Sequence, residues 1–575
     1  MRCNAMTSLL LVATVMLWRV IRCFCPTGCQ CNQDTLTVNC SRAGLSSVPI
    51  LLNPRIRSLT LSHNIIAEVT ADELGFYAEL EYLDMSSNRI QSIAAGAFYK
   101  LHKLRVLKLG ANRLNDIGAE TFSGLGALKL LDLGDNELTR LPTAVFSDMA
   151  NLEALNLSTN FVGSIAPGAF TGLAKVKELH LQDNQLGSII SQPFRDLRAL
   201  KLLDLSDNHV STLPAYCFST LHQLEVLNMA GNRLESIEED AFSGLSSIGH
   251  LHLDRNRLNR IPTLSFRPLS DLSLLTISDN PFDELATSCF EGLSRLTQLV
   301  ITKCPYLKTI NLNAFSGLFD LETLILAENP ALGQFHPLAF ETDARMALRQ
   351  VYLFGNNLTR LPKNLLPWNQ LTELDLRGNP WQCDCQMLWI GSVLRQIYAN
   401  VQDPQPDCVC AGPKAMVGNA LVSLQQDAYN CSSSTRLPMI VSLLLTALFM
   451  LLTVVILLLM RYRRCFGTKS GRKAGFYERA MVAPPSSYYE KTHKESLLYA
   501  YSPNGQPSDH SSSTSSQWPR YGNHYYYTGA YSLNEESLWR LPLPPPPPPP
   551  PPTACCRIDQ SIGSTLRRQP AGTRL

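Results

Sequence analysis

From Ile56 to Asn379 apolar and polar positions recur in one order, L-x-x-L-x-L-x-x-N-x-L, first met as Ile56, Leu59, Leu61, Asn64 and Ile66. The asparagine returns at Asn88, Asn112, Asn136, Asn160, Asn184, Asn208, Asn232, Asn256 and Asn280, always 24 residues on, and Cys304, Asn329, Asn356 and Asn379 continue the series at slightly drifting spacing to make fourteen turns. Leucines at period two predict one short strand per turn, with its apolar side facing inward and stacked on the next. The asparagine is expected inside, pairing backbone groups that a buried bend would otherwise orphan; a thiol at Cys304 does this only weakly. A second column, Phe98, Phe122, Phe146, Phe170, Phe194, Phe218, Phe242, Phe266 and Phe290, also steps by 24 and predicts stacked rings on the opposite side. Such a chain needs no conventional core, because each turn packs only on its neighbours.

Two apolar segments fall outside this period. Residues 1–23, with Arg2 ahead of the run Leu9–Trp18, read as a secretory signal peptide. Met439–Met460 is 22 residues without a charge, enough at 1.5 Å per residue to cross a hydrocarbon core of about 30 Å. Arg461, Arg463, Arg464, Lys469, Arg472 and Lys473 follow it, against Arg436 alone on the other side, which predicts a cytoplasmic C-terminal side and an extracellular N-terminus. The formal charge of +2 hides a split: residues 461–575 carry a net +8 and residues 24–460 a net −9. An acidic front joined to a basic back argues against nucleic-acid binding.

Cysteines cluster at both ends of the repeats: Cys25, Cys29, Cys31 and Cys40 before them, then Cys383, Cys385, Cys408, Cys410 and Cys431 after them. Zinc is the competing reading of such clusters; a secretory leader places them in an oxidising compartment and favours disulfides. Cys217, Cys289 and Cys304, inside repeats, read as buried thiols.

The motif is identified as the leucine-rich repeat, which its regular run makes close to unambiguous. Residues 25–460 resemble single-pass type I leucine-rich-repeat surface proteins with N- and C-terminal cysteine caps, of the adhesion and receptor type. The resemblance implies an α/β solenoid, a horseshoe of about 14 repeats with disulfide caps, one transmembrane helix and a disordered cytoplasmic tail. The divisions are 1–23 signal peptide, 24–55 N-terminal cap, 56–378 repeats, 379–432 C-terminal cap, 439–460 transmembrane helix and 461–575 tail. It also implies Cys25–Cys31, Cys29–Cys40 and Cys385–Cys431, with Cys383 bonded to Cys410, which fits the family's C-x-x-P through Pro413, or to Cys408, which gives the more usual distance.

Function is expected to be recognition: a cell-surface adhesion receptor for an extracellular protein, or alternatively an innate-immune or matrix-sensing receptor that signals through a co-receptor. No H-E-x-x-H, G-x-S-x-G, phosphate loop or dinucleotide fingerprint occurs, so no enzyme, cofactor or metal site is expected. The outward residues of the strands form the ligand face, and their central column runs Thr60, Asp84, Lys108, Asp132, Asn156, His180, Asp204, Asn228, His252, Thr276, Val300, Ile325, Tyr352, Asp375. Val300, Ile325 and Tyr352, with Phe354 beside them, break a polar column and mark the expected contact site. Of the sequons at Asn39, Asn156, Asn357 and Asn430, Asn156 and Asn357 are the expected glycan acceptors; the other two have a cap cysteine as middle residue. In the tail, Leu543 leads into Pro544–Pro552, resembling ligands of proline-binding scaffolds, and Thr573 and Leu575 close the chain as a class I PDZ ligand resembles. Homo- and hetero-oligomers remain open.

Overall fold

The computed structural model describes residues 25–340, 347–399, 408–425 and 436–466. Its repeats build one sheet of 16 strands in sequence order. The first two, Gln30–Asn32 and Thr37–Asn39, form an antiparallel hairpin, and Thr37–Asn39 then pairs in parallel with Ser58–Thr60, the first repeat strand. Fourteen repeat strands follow to Glu373–Asp375, all parallel, with Leu59 opposite Leu83, Leu83 opposite Leu107, and so on in unbroken register. The inward leucines of this row are wholly buried.

Each ladder asparagine holds its turn to the one before. Asn160 Nδ2 lies 3.0 Å from Leu133 O of the preceding turn and 3.1 and 3.0 Å from Leu157 O and Ser158 O of its own, while Oδ1 accepts from Leu138 N at 3.1 Å. The same set recurs at Asn88, Asn112, Asn208 and Asn280. The residue before each asparagine takes a left-handed conformation, with φ between +51° at Asp279 and +69° at Gly231. That kink swings the chain out of the strand and aims its carbonyls inward, where only a side-chain amide can reach them. At Cys304 the amide is missing, and the sulfur has only Thr302 O at 3.6 Å and Ile277 O at 4.0 Å. The flanking strands lengthen there to Gln298–Thr302 and Thr323–Ala327. The ladder also slips: Asn329 Oδ1 accepts from Cys304 N and Asn356 Oδ1 from Asn329 N, each two residues earlier in the turn than elsewhere.

The outer side is made of turns, two-residue parallel bridges such as Glu68–Val69 with Ser92–Ile93, and four-residue helical turns at Ala71–Leu74 and Thr263–Phe266. Behind them the phenylalanine column is buried and stacked, with centroids 6.3 Å apart for Phe98–Phe122, 6.1 Å for Phe122–Phe146 and 6.2 Å for Phe146–Phe170. Phe315 and Phe340 extend it.

Caps close both ends. Cys25–Cys31 and Cys29–Cys40 tie the N-terminal hairpin. At the other end Cys383 is bonded to Cys410, and Cys408 is a buried free thiol, as are Cys217, Cys289 and Cys304. Cys385 is disulfide-bonded as well; its expected partner Cys431 lies outside the described residues. Trp381 is fully buried in this cap, its Nε1 donating to Leu376 O at 2.9 Å, and the helix Ile390–Ile397 packs on Leu421–Ser423. Arg436–Phe466 forms a separate helix, and within it Met439–Tyr462 has a mean hydropathy of 3.0. Its Thr446 and Thr453 hydroxyls donate to Leu443 O and Met450 O, so neither is left without a partner in an apolar medium.

Asn208→Ala removes a buried carboxamide and orphans groups on two turns, each costing about 1–3 kcal/mol. A large drop in the denaturation midpoint is expected, with exposed Asn259→Ala as the control within about 0.5 kcal/mol of wild type.

Candidate ligand-binding face

Parallel register converts each outward motif position into a straight column across the sheet. In the central column the polar side chains are fastened to their neighbours. Asp84 Oδ1 accepts from the Ser86 amide and hydroxyl at 3.0 and 2.7 Å, and Asp204 Oδ1 does the same with Ser206 at 2.9 and 2.7 Å. Asn228 Nδ2 reaches Asp204 Oδ2 at 3.2 Å. Asn156 Nδ2 donates to Asp132 Oδ1 at 2.9 Å, and Gly134 N donates to the same oxygen at 3.1 Å. Burial pushes the Asp132 carboxyl above its ordinary range, although these donors and Lys108 oppose the shift. Around this bridge Gly110 and Gly134 present no side chain, and a cavity of about 270 Å³ opens over Ser86, Asp132, Asn156 and Ser158.

Farther along, Thr276 donates its hydroxyl to Asp254, so His252 Nδ1, 3.0 Å from that hydroxyl, must be the donor. His252 then presents an unprotonated Nε2, and burial lowers its pKa further. Arg255 reaches back two turns to Asp207 at 2.9 Å.

The apolar residues singled out from the sequence do lie side by side: Val300 opposes Ile325, and Ile325 opposes Tyr352. One of them needs correction. Ile325 is only 8% exposed, set between its in-register neighbours Val300 and Tyr352, so it is a packing residue and not contact surface. Val300, Tyr352 and Phe354 are half-buried. The Tyr352 hydroxyl donates to the Glu373 carboxylate, and burial together with that carboxylate raises its pKa. Beyond it, Arg377 grips Asp375 with contacts of 3.0, 3.1 and 2.6 Å.

A column two residues before the central one escaped the sequence reading: Tyr82, Val106, Leu130 and Ala154 form an apolar strip, with Val106, Leu130 and Ala154 buried, which Glu178 interrupts before Leu202 and Val226 and His250 interrupts before Leu274. Its signal was available, as the residue just before each inward strand leucine. Along the flank runs a charged row, Arg57–Glu81–Arg105 and then Lys129–Glu153–Lys177, in which Lys129 and Lys177 each stand 2.8 Å from Glu153 and hold its carboxyl below the usual range. Among the described residues no group of three or more His, Cys, Asp or Glu is arranged to hold a metal ion. The sequons differ sharply. Asn357 is exposed, whereas Asn156 is part-buried, its Nδ2 on Asp132 and its Oδ1 accepting from Ser158 N at 2.9 Å. Thr573, Leu575 and Pro544–Pro552 lie outside the described residues.

The family description "Leucine rich repeat" matches the chain in six overlapping segments, 54–114, 102–162, 155–210, 199–258, 246–305 and 270–330. The chain is similar to mouse chondroadherin, 33% identical over 117 residues that cover 20% of this chain and 30% of that protein. It is similar to the human platelet glycoprotein Ib beta chain, 36% identical over 94 residues covering 16% of this chain and 42% of that one. The match to human immunoglobulin superfamily member 10 is 28% identical over 97 residues, 15% of this chain and 4% of that protein. The chain thus spans less than half the length of each of these relatives. In fold it resembles a chain of the Drosophila Toll–Spatzle complex, with TM-score 0.56 and 22% identity over 68% of this chain and 54% of that chain. It also resembles a Leptospira interrogans leucine-rich-repeat protein, with TM-score 0.51 and 24% identity over 62% and 93%.

Two outcomes follow from this geometry. A glycan on Asn156 takes one of the two hydrogens of a part-buried amide nitrogen already engaged with Asp132, so glycopeptide mass spectrometry is expected to find the exposed Asn357 the more fully occupied sequon. Asp132 has a folded pKa above its unfolded value, so its contribution to stability is present at acid pH and lost as pH rises through the folded pKa. Asp132→Asn keeps an acceptor for Asn156 and Gly134 and should raise the melting temperature at pH 7, with the gain vanishing near pH 3, below the unfolded carboxyl pKa of about 3.9.

Proposed function

As the repeats make the chain a leucine-rich-repeat protein, we propose that it is a cell-surface recognition and adhesion receptor whose concave sheet binds an extracellular protein. The observation that carries this reading is the unbroken register of fourteen strands. It aligns outward side chains into columns and fastens the polar ones in place before any partner arrives, which lowers the ordering cost of binding. Similarity to chondroadherin and to a platelet glycoprotein chain supports an extracellular ligand-binding role, and the one long apolar helix fits a single-pass membrane protein.

The basic cluster that starts at Arg461 supports an orientation with the repeats outside and residues 461–575 in the cytoplasm, and Arg2 with the run Leu9–Trp18 supports a leader removed from residues 1–23. In that compartment Leu543 with Pro544–Pro552 would meet proline-binding scaffolds as an already extended helix, and Thr573 with Leu575 would add a strand and a free carboxylate to a PDZ domain.

Within the face, Val300, Tyr352 and Phe354 are the proposed contact residues, with Ile325 supporting them from below. An ectodomain probe should stain cells that bear a protein ligand, and the pair Tyr352→Ser and Phe354→Ser should lower that binding at least tenfold at normal secretion. Unchanged binding, or staining only by microbial material, would refute the adhesion reading. One glycine added after Leu575 is expected to abolish recovery of PDZ proteins while leaving surface delivery intact.

A further inference from the structure

At the N-terminal end, off the concave sheet, the chain forms a groove of about 570 Å³. One wall is the segment after the cap hairpin, with Val48, Pro49, Ile50 and Leu51; the other is the first outer turn, with Asp72, Glu73 and Phe76. Ile50, Leu51 and Phe76 are 54%, 65% and 56% exposed, three large apolar side chains open to water in one place. The walls are held in position from beneath. The buried Tyr77, next to Phe76, donates its hydroxyl to Pro49 O and accepts from Leu52 N at 3.4 Å. Cys25–Cys31 and Cys29–Cys40 fix the hairpin itself. The groove is therefore preformed.

Its charge is one-sided. Glu73 Oε2 is shut off from solvent and has no hydrogen-bond partner among the described residues, and neither Asp72 nor Glu73 takes part in an ion pair there. Asp72 and Glu73 line the groove and no lysine or arginine does, so its charge favours a cationic partner. Large apolar side chains left exposed around it favour a partner that also buries aliphatic surface.

We propose that this groove is a second docking surface, taking a segment of an extracellular protein that presents aliphatic or aromatic side chains beside a lysine or arginine. The cation would meet Glu73, with Asp72 at the rim, while the apolar side chains fill the space between Ile50, Leu51 and Phe76. The site is separate from the concave columns, so one receptor could hold two partners, or two parts of one.

The test uses the full-length chain on cells and two synthetic peptides, one alternating leucine and lysine, the other leucine and glutamate, each carrying one benzophenone. After irradiation, the lysine peptide is expected to label fragments containing residues 47–51 or 72–76. Labelling should fall at least tenfold in Phe76→Ser and at least threefold in Glu73→Gln, with the glutamate peptide inert. The pair Tyr352→Ser and Phe354→Ser should leave it unchanged, which separates failure of this site from failure of the concave one. If Phe76→Ser reaches the surface poorly, Ile50→Ser provides the same comparison. Equal labelling by both peptides, labelling elsewhere, or labelling insensitive to these variants overturns the proposal. So does a groove found cross-linked to residues 1–24 or to a second copy of the chain.

Discussion

The asparagine side chain that closes every turn is the interaction on which this molecule depends. A strand of three residues that kinks through a left-handed position leaves carbonyls and amides pointing into a space lined by leucine, where water cannot reach them. One carboxamide, donating and accepting at once, satisfies groups on its own turn and the one before. It thus links neighbours that otherwise share only apolar contacts and strand pairing, and it leaves one conformation per turn. Where the amide gives way to sulfur at Cys304, the bonding slips by two residues and the strands grow.

Everything on the surface inherits that regularity. Because the strands never lose register, like positions meet like positions, and the outcome depends on which residue types occupy a column. Opposite charges alternate on the flank, where exposed pairs add little stability each but disfavour a one-turn slip. Carboxylates and amides interlock down the centre, and apolar residues coalesce beside them. The face is consequently stiff, and its chemistry changes in steps from one turn to the next.

Most of the repeat architecture was legible in the residues, because a period of 24 is carried by Leu, Asn and Phe, whose burial is dictated by type. The fourteen strands and the phenylalanine column follow from it directly. What was not legible depended on neighbours in space. Ile325 occupies an outward position, yet Val300 and Tyr352 on either side cover it, which no single-turn pattern reports. Cys408 and Cys410 are two residues apart and chemically alike; the bond to Cys383 forms from Cys410 on the strand Cys410–Gly412, which pairs with Trp381–Gln382. The groove at the N-terminal cap joins residues from two segments that the motif does not align.

The two sides of each turn also differ in thickness. Strands on the inner side stand about 4.8 Å apart, whereas ring centroids from Phe98 to Phe218 are 6.1 to 6.5 Å apart, a spacing that falls to 4.4 Å between Phe315 and Phe340. From Phe98 to Phe218 each turn is therefore a wedge, and bending accumulates there from the girth of a benzene ring. The arc presented to a partner is in this sense a property of residues that never touch it. Slimming those rings would flatten the inner surface and spoil its match to a curved ligand while every outward side chain stayed the same.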